Sequence, residues 1–140
     1  MNHQIRALGE TVLRVADRAR MRDFYTRVIG LDVLHELSGI TFLAIGAGHG
    51  GHTQIIGLFD ETLPAPIVDA KRWPVDVERT SLHHFALEIE LADYAPELER
   101  LRGLGVAVTT AEHRWCHWRS IYVRDPEDNV VELVCFDPSV

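Results

Sequence analysis

The sequence predicts an α+β fold made of two copies of one β-α-β-β-β module. The chain repeats itself in pattern: GETVLRVAD (9–17) returns as HHFALEIEL (83–91), and QIIGLF (54–59) returns as VVELVC (130–135). Each copy also combines short strands of period two with one amphipathic helix. We expect one domain over residues 1–140, with modules at about 4–60 and 82–137 and a proline-containing linker at 61–81.

The strands alternate, so each has one apolar and one partly polar face. In the first strand, Glu10 and Arg14 share the face opposite Leu13 and Val15. The segments HFALEIE and VVELVC of the second module alternate in the same way. If the apolar faces lie under the helices, the other faces form a curved, half-polar cup. The side chains expected in this cup are Glu10, Arg14, His84, Glu88, Tyr122 and Glu132.

One helix is expected in each module. The first has an apolar stripe formed by Met21, Phe24, Tyr25, Val28 and Ile29. Asp17 is its expected N-cap, and Gly30 its expected end. In the second helix Asp93 is the expected cap, Pro96 falls in the first turn, and Gly105 ends the helix. Its expected stripe is Leu98, Leu101 and Leu104.

Composition excludes several classes of partner. The net charge of −7 and the lack of a basic block argue against nucleic-acid binding and against anionic membranes. No apolar run is long enough to span a bilayer, and the N-terminal residues show no secretory h-region. Cys116 and Cys135 are far apart and suit reduced thiols. We therefore expect a cytoplasmic protein with a small-molecule partner.

His84 and Glu132 are the most informative residues of the chain. They lie at the first strand and the last strand of the second module. An imidazole and a carboxylate that converge from separate strands form two-thirds of a divalent-metal site. The alternative is that the two side chains only hydrogen-bond to each other in a polar cup.

Three stretches of sequence are similar to a known family. LRVADRARMRDFYTRVIGL (13–31) resembles its first-module signature, and SLHHFALEI (81–89) and RSIYVRDPEDNVVELV (119–134) resemble its second. The family is the vicinal-oxygen-chelate superfamily, which includes glyoxalases, bleomycin- and fosfomycin-resistance proteins, methylmalonyl-CoA epimerases and extradiol dioxygenases. The resemblance covers nearly the whole chain and implies paired βαβββ modules around a metal. It also implies a homodimer.

The resemblance implies metal ligands at Glu10, Gly57, His84 and Glu132. Glu10 stands where histidine is usual, and Gly57 has no side chain to offer. Three ligands with open positions are therefore expected, and two carboxylates with one imidazole favour Fe(II) or Mn(II). Glu10 has a structural alternative as the ion-pair partner of Arg14.

The run HRWCHWRSIYVRDPEDNVVE (113–132) resembles the extradiol dioxygenase signature. This resemblance implies that His113 is an acid/base and that Tyr122 donates a hydrogen bond to bound catecholate. Their alternatives are a surface-loop histidine and a strand tyrosine at the edge of the cup. Asp128 stands where the signature has glycine, so we expect a turn with positive φ at this position.

Further residues complete the expected site. Arg14 is a candidate for pairing with an anionic substrate, and His117 is a second candidate for substrate binding or proton transfer. His83 is expected to face away from His84 because neighbouring strand residues alternate. The glycine-rich GAGHGG (46–51) has no helix after it, so it indicates a hairpin rather than a dinucleotide site.

These observations leave three hypotheses for function. The first is a metal-dependent enzyme similar to extradiol ring-cleaving dioxygenases. The second is a glyoxalase-type isomerase or fosfomycin-type thiol transferase. The third is a metal-free protein that binds a small aromatic molecule or an antibiotic in the cup.

Overall fold

A computed structural model describes residues 6–64 and 82–140 of the chain. The chain divides into two compact units, Met1–Asp76 and Val77–Val140. Residues 65–81 of the predicted linker lie outside the described part, and residues 61–63 form a turn after the last strand of the first unit. In the described part, no helix has the length and apolar character needed to cross a membrane.

The first unit has one helical segment and a four-stranded sheet. Its elements are β1 (Glu10–Val15), α1 (Arg18–Phe24), a π-helical continuation (Tyr25–Ile29), β2 (Asp32–Leu37), β3 (Ile40–Ala47) and β4 (Thr53–Asp60). The strand order is β1-β4-β3-β2, with β1 parallel to β4 and the other pairs antiparallel. The glycine-rich segment 48–52 connects β3 to β4 as predicted.

The second unit repeats this plan. Its elements are β5 (Phe85–Glu88), α2 (Leu91–Gly103), β6 (Thr109–His113), β7 (Trp118–Arg124) and β8 (Val130–Phe136). The strand order is β5-β8-β7-β6, and again the first strand runs parallel to the last. The predicted α+β class and the doubled β-α-β-β-β order are confirmed, with two mixed sheets of four strands each.

Alternation places the core of each unit on one face of its sheet. In the first unit Leu13 and Val15 are buried together with Met21 and Tyr25 of the helical segment. The predicted N-cap is confirmed, because the Asp17 side chain accepts a 3.0 Å hydrogen bond from the N–H of Arg20. The helix ends at Gly30, as predicted, with a φ of 91° that glycine adopts without a steric penalty.

The second helix begins earlier than predicted. Its N-cap is Glu90, so Asp93 lies in the first turn, where a carboxylate is favoured by the helix dipole. Pro96 consequently lies inside the helix rather than in its first turn. Leu101 is fully buried as expected, but Leu104 is 54% exposed. The inward stripe consists of Tyr94, the half-buried Leu98 and Leu101, at i, i+4 and i+7, whereas Leu104 follows the last helical residue, Gly103.

Candidate functional site

Three strands of the second unit bring a group of polar side chains to one face of its sheet. Glu132 of β8 pairs with Ala86 of the parallel strand β5 and with Tyr122 of the antiparallel strand β7. His84 comes two residues before Ala86, and Ser120 comes two residues before Tyr122. Because side chains repeat every two residues along a strand, the register collects Ser120, Tyr122 and Glu132 on the face away from the core, while His84, just before β5, joins this group through its contact with Glu132.

His84 and Glu132 converge, as the sequence predicted. His84 Nε2 lies 3.3 Å from Glu132 Oε2. The Glu132 side chain is only 4% exposed, whereas that of His84 is 37% exposed. Nitrogen and oxygen ligands about 2.1 Å from a shared divalent ion lie roughly 3.0–3.5 Å apart at ordinary coordination angles. The separation of the two atoms therefore fits a pair of ligands to one ion.

Ser120 is a member of this group that the sequence analysis missed. It is fully buried, and its hydroxyl donates a 2.5 Å hydrogen bond to Glu132 Oε1. The two carboxylate oxygens thus have separate partners, because Oε2 faces His84. A buried carboxylate is costly without hydrogen-bond donors, and this donor also fixes the rotation of the carboxylate. Its position two residues before Tyr122 was a signal in the sequence for the shared strand face, although not for the contact with Glu132.

Tyr122 connects Glu132 to His113. His113 Nε2 lies 2.9 Å from the Tyr122 hydroxyl oxygen, and the Tyr122 ring makes an edge contact with the ring of His84. Burial is the main cause that raises the pKa of the Tyr122 phenol; a hydrogen bond with Ser120 lowers the pKa in part, and the hydrogen bond and charge of Glu132 raise it. Tyr122 therefore stays a neutral O–H donor throughout the physiological pH range.

The turn between β7 and β8 is built around Asp125. This carboxylate is 4% exposed and accepts hydrogen bonds of 2.9 Å from the N–H groups of Glu127 and Asn129 and from the Asn129 side-chain amide. Asp128 adopts a φ of 64°, which confirms the positive φ predicted at this position. The turn fixes the register in which Tyr122 lies opposite Glu132.

His83 does not face away from His84, so that prediction was wrong. The two Nδ1 atoms lie 2.6 Å apart, and the ring centroids are 4.9 Å apart at an interplanar angle of 67°. The regular strand begins only at Phe85. Both histidines precede it, so the alternation of a strand does not apply to them.

Glu10 and Arg14 belong to the first unit. Both lie on the β1 face opposite the buried Leu13 and Val15. A β-carbon at position 57 would lie 2.9 Å from Glu10 Oε1 and 2.8 Å from a ring carbon of Phe59. Glycine at this position thus leaves the space that the Glu10 carboxylate occupies. As a metal ligand Glu10 stays a prediction, and so does Arg14 as a substrate-binding residue.

The structure places His117 outside the polar group of the second unit. It ends the turn before β7 with a φ of 58°, and its Nδ1 lies 2.6 Å from the carbonyl oxygen of Val140. Its ring packs against Phe136. Among residues 6–64 and 82–140, no three His, Cys, Asp or Glu side chains are grouped as ligands of one ion. His84 and Glu132 are thus a two-residue half-site within their own unit.

Comparisons with known proteins agree with this architecture. The family model described as Glyoxalase/Bleomycin resistance protein/Dioxygenase superfamily matches residues 7–133. A lactoylglutathione lyase of Escherichia coli O157:H7 is 30% identical over 129 residues, which cover 91% of this chain and 90% of that protein.

Solved structures show the same fold. A lactoylglutathione lyase of Agrobacterium tumefaciens has a TM-score of 0.66 at 26% identity, with 92% of each chain covered. A genomically encoded fosfomycin resistance protein of Listeria monocytogenes has a TM-score of 0.63 at 20% identity, with 96% of this chain and 97% of the other covered. With nearly its whole length matched, the chain belongs to the glyoxalase/bleomycin resistance protein/dioxygenase superfamily, as its sequence motifs predicted.

Proposed function

We propose that the protein is a metal-dependent enzyme that acts on a small molecule with two neighbouring oxygen atoms, and that its leading activity is extradiol-type ring cleavage. The observation that carries the proposal is the chain of contacts from His113 through Tyr122 to the ring of His84, and from His84 to Glu132. It joins a proton-transfer pair to a pair of potential metal ligands on one sheet face.

His84 and Glu132 are the proposed ligands from the second unit, and Glu10 is the proposed ligand from the first. One imidazole with two carboxylates suits Fe(II) or Mn(II) and leaves coordination positions open. When bound, such an ion supplies Lewis acidity and a binding place for substrate oxygen atoms and O2. Ser120 holds the Glu132 carboxylate for this role through its 2.5 Å hydrogen bond.

His113 and Tyr122 are the proposed proton-handling residues. His113 Nε2 accepts a proton from a substrate hydroxyl group and later returns it to the product. Tyr122 stays protonated, since burial raises a pKa that is already near 10, and with substrate bound it donates its single hydroxyl hydrogen to the oxygen on which negative charge develops instead of to Glu132. The two side chains lie 2.9 Å apart, so both can reach the same reacting group.

An isomerase of the lactoylglutathione lyase type is the second candidate, and the 30% identity over 91% of the chain favours it. Gly57 is the observation against it, because the position expected to provide a fourth ligand has no side chain. The space above Gly57 is filled by Glu10 and Phe59 instead. We therefore place ring cleavage first.

The decisive experiment combines metal analysis with activity. Purified protein loaded with Fe(II) should consume O2 in the presence of a panel of substituted catechols. His113→Gln should reduce kcat about 10²–10⁴-fold, because it removes the base and leaves the ligands in place. Glu132→Ala should lose the bound metal, and Glu112→Ala, which removes a carboxylate of the same unit outside the polar group, should retain it.

Three other results are informative. Metal-dependent turnover of a glutathione hemithioacetal without O2 would show that the activity is that of the isomerase and not ring cleavage. Metal-dependent addition of a thiol to fosfomycin without O2 would show that the activity is that of the thiol transferase and not ring cleavage. A wild-type protein that binds no metal but binds small aromatic molecules tightly, unaffected by a chelator, would refute both enzyme proposals.

We also propose that the protein works in the cytoplasm as a homodimer. Its two cysteines, Cys116 and Cys135, are both free thiols. The edge strand β2 is exposed along its whole length and includes the apolar residues Val33, Leu34 and Leu37. Exposed apolar edge strands are favourable pairing surfaces. Light scattering coupled to size-exclusion chromatography should give twice the mass of the 15.8 kDa chain.

A further inference from the structure

The closest polar contact of the His84 ring is with its neighbour in sequence. His83 Nδ1 and His84 Nδ1 lie 2.6 Å apart, while His84 Nε2, on the other side of the ring, lies 3.3 Å from Glu132 Oε2. Both nitrogens of His84 therefore have a partner. The rings of His83 and Tyr122 also make edge contacts with the His84 ring, at centroid distances of 4.9 Å and 6.1 Å.

A hydrogen bond between two Nδ1 atoms requires that one of them donates and the other accepts. A histidine that binds a cation through Nε2 must have no hydrogen there, so in the neutral ring the hydrogen is on Nδ1. In that form His84 Nδ1–H donates, and His83 Nδ1 must be the acceptor. The tautomer needed at His84 thus determines the role of His83.

We propose that His83 is a positioning residue, which accepts a hydrogen bond from His84 Nδ1–H and thereby keeps Nε2 directed to the cation held with Glu132. This inference rests on the proposed metal-dependent function and adds a residue that touches neither the ion nor the substrate. His84 needs such support because its side chain is 37% exposed and is not held in place by burial. Partners of ligand histidines of this kind contribute about 10–100-fold to metal affinity.

Zn²⁺ is the appropriate probe, because it takes the same ligand types, binds more tightly than Fe(II) and is diamagnetic. The variants are His83→Ala, which removes the acceptor, and His83→Asn, whose side-chain carbonyl oxygen can accept at about the position of Nδ1. His35→Ala is the matched control, because it removes another exposed imidazole from the other unit. Calorimetry or chelator competition gives the dissociation constants, and thermal unfolding verifies that each variant is folded.

We expect His83→Ala to weaken Zn²⁺ binding about 10–100-fold, and His83→Asn and His35→Ala to stay within a few-fold of the wild type. Long-range ¹H–¹⁵N spectra of the Zn²⁺-loaded protein give an independent readout. His84 should show a hydrogen on Nδ1 that is protected from solvent exchange in the wild type and in His83→Asn, and unprotected in His83→Ala.

Each of the other possible results would overturn a specific part of the proposal. Equal Zn²⁺ affinity in the wild type and His83→Ala would overturn the role of His83 and leave the metal-dependent function standing. Equal losses in His83→Ala and His83→Asn, or a His84 ring that binds Zn²⁺ through Nδ1, would overturn the acceptor role. A wild-type protein without Zn²⁺ affinity would overturn the proposed function and this inference together.

Discussion

Ser120 donates its hydroxyl hydrogen to Glu132 Oε1 at 2.5 Å, and both side chains are buried on the face of β7 and β8 opposite the core. The second oxygen of the same carboxylate faces His84. One hydroxyl thus determines which oxygen is available to a ligand partner.

Ser120→Ala should therefore weaken metal binding about 10–100-fold, because Glu132 loses the donor that fixes its rotation. It should also lower the free energy of unfolding by about 1–3 kcal/mol, since a buried carboxylate oxygen loses a hydrogen bond. Metal titration and urea denaturation measure the two effects.

Ser139→Ala is the control for this prediction. Ser139 also donates to a carboxylate, that of Asp137, at 2.6 Å, but this pair lies outside the polar group. The control should bind metal like the wild type. Equal metal affinity in Ser120→Ala would show that Ser120 has only a structural role.

Tyr122 should ionise at a higher pH than an exposed tyrosine, because burial raises its pKa above the ordinary value of 10.0. A phenol whose pKa is raised by folding contributes stability below about pH 10, and this contribution is lost as the pH rises through the folded-state pKa. The wild type should therefore lose stability above about pH 10, and Tyr122→Phe should lose less.

Difference titrations of the phenolate absorbance band measure this pKa directly. Subtracting the Tyr122→Phe curve from the wild-type curve isolates the residue, and Tyr94→Phe should leave its step unchanged. A step for Tyr122 below the ordinary value would contradict the burial-dominated environment.

Gly57→Ala should weaken metal binding, although residue 57 binds nothing itself. The new β-carbon would lie 2.9 Å from Glu10 Oε1 and 2.8 Å from Phe59, so both side chains must move. Overpacking of this kind costs about 1–3 kcal/mol of stability. If Glu10 is the third ligand, its displacement should reduce metal affinity about tenfold or more.

Gly46→Ala is the matched control, because a β-carbon there meets no atom within 4 Å. Calorimetric titration of both variants with Mn²⁺ compares them. Unchanged affinity in Gly57→Ala, with the expected loss of stability, would remove Glu10 from the ligand set.

Asp128→Ala should lower stability by about 1 kcal/mol, whereas Asp128→Gly should be as stable as the wild type or more so. The residue has a φ of 64°, which costs most L-residues about 1–2 kcal/mol and glycine nothing. The ion pair with Arg124, at 3.5 Å between exposed side chains, contributes at most about 1 kcal/mol.

Asp128→Asn separates the two effects, since asparagine tolerates the same backbone conformation without the charge. Urea denaturation of the three variants gives the order of stability. If alanine is as stable as glycine at this position, the backbone conformation is not what determines the preference.

Strand alternation predicted much of the site. It predicted the shared face of Glu132 and Tyr122, which the register of β7 and β8 confirms, and His84 meets Glu132 from a position just before β5. It failed for His83 because the strand starts at Phe85, and the extent of a strand depends on hydrogen bonds with partners that sequence alone does not reveal. The predicted start of α2 was wrong because aspartate is favourable both as an N-cap and in the first turn of a helix. The sequence alone did not determine which of these positions Asp93 occupies.

Ser120 shows a different limit. Serine is common on strands, and nothing in its own identity indicates a contact with a carboxylate. Only the pairing of Ser120 with Val134, next to the pair formed by Tyr122 and Glu132, places its hydroxyl group near that acid. Contacts of this kind depend on side-chain rotamers, which alternation does not determine.

The Asp125 turn has a consequence for how this chain tolerates changes in length. Its three hydrogen bonds fix the number of residues between Tyr122 and Glu132. Deleting or inserting one residue between 126 and 129 would move every β8 side chain to the opposite face of the sheet. Glu132 would then be buried against α2, and both the core and the proposed metal site would be lost. We therefore expect this short connection to tolerate no change in length, although it lies at the surface.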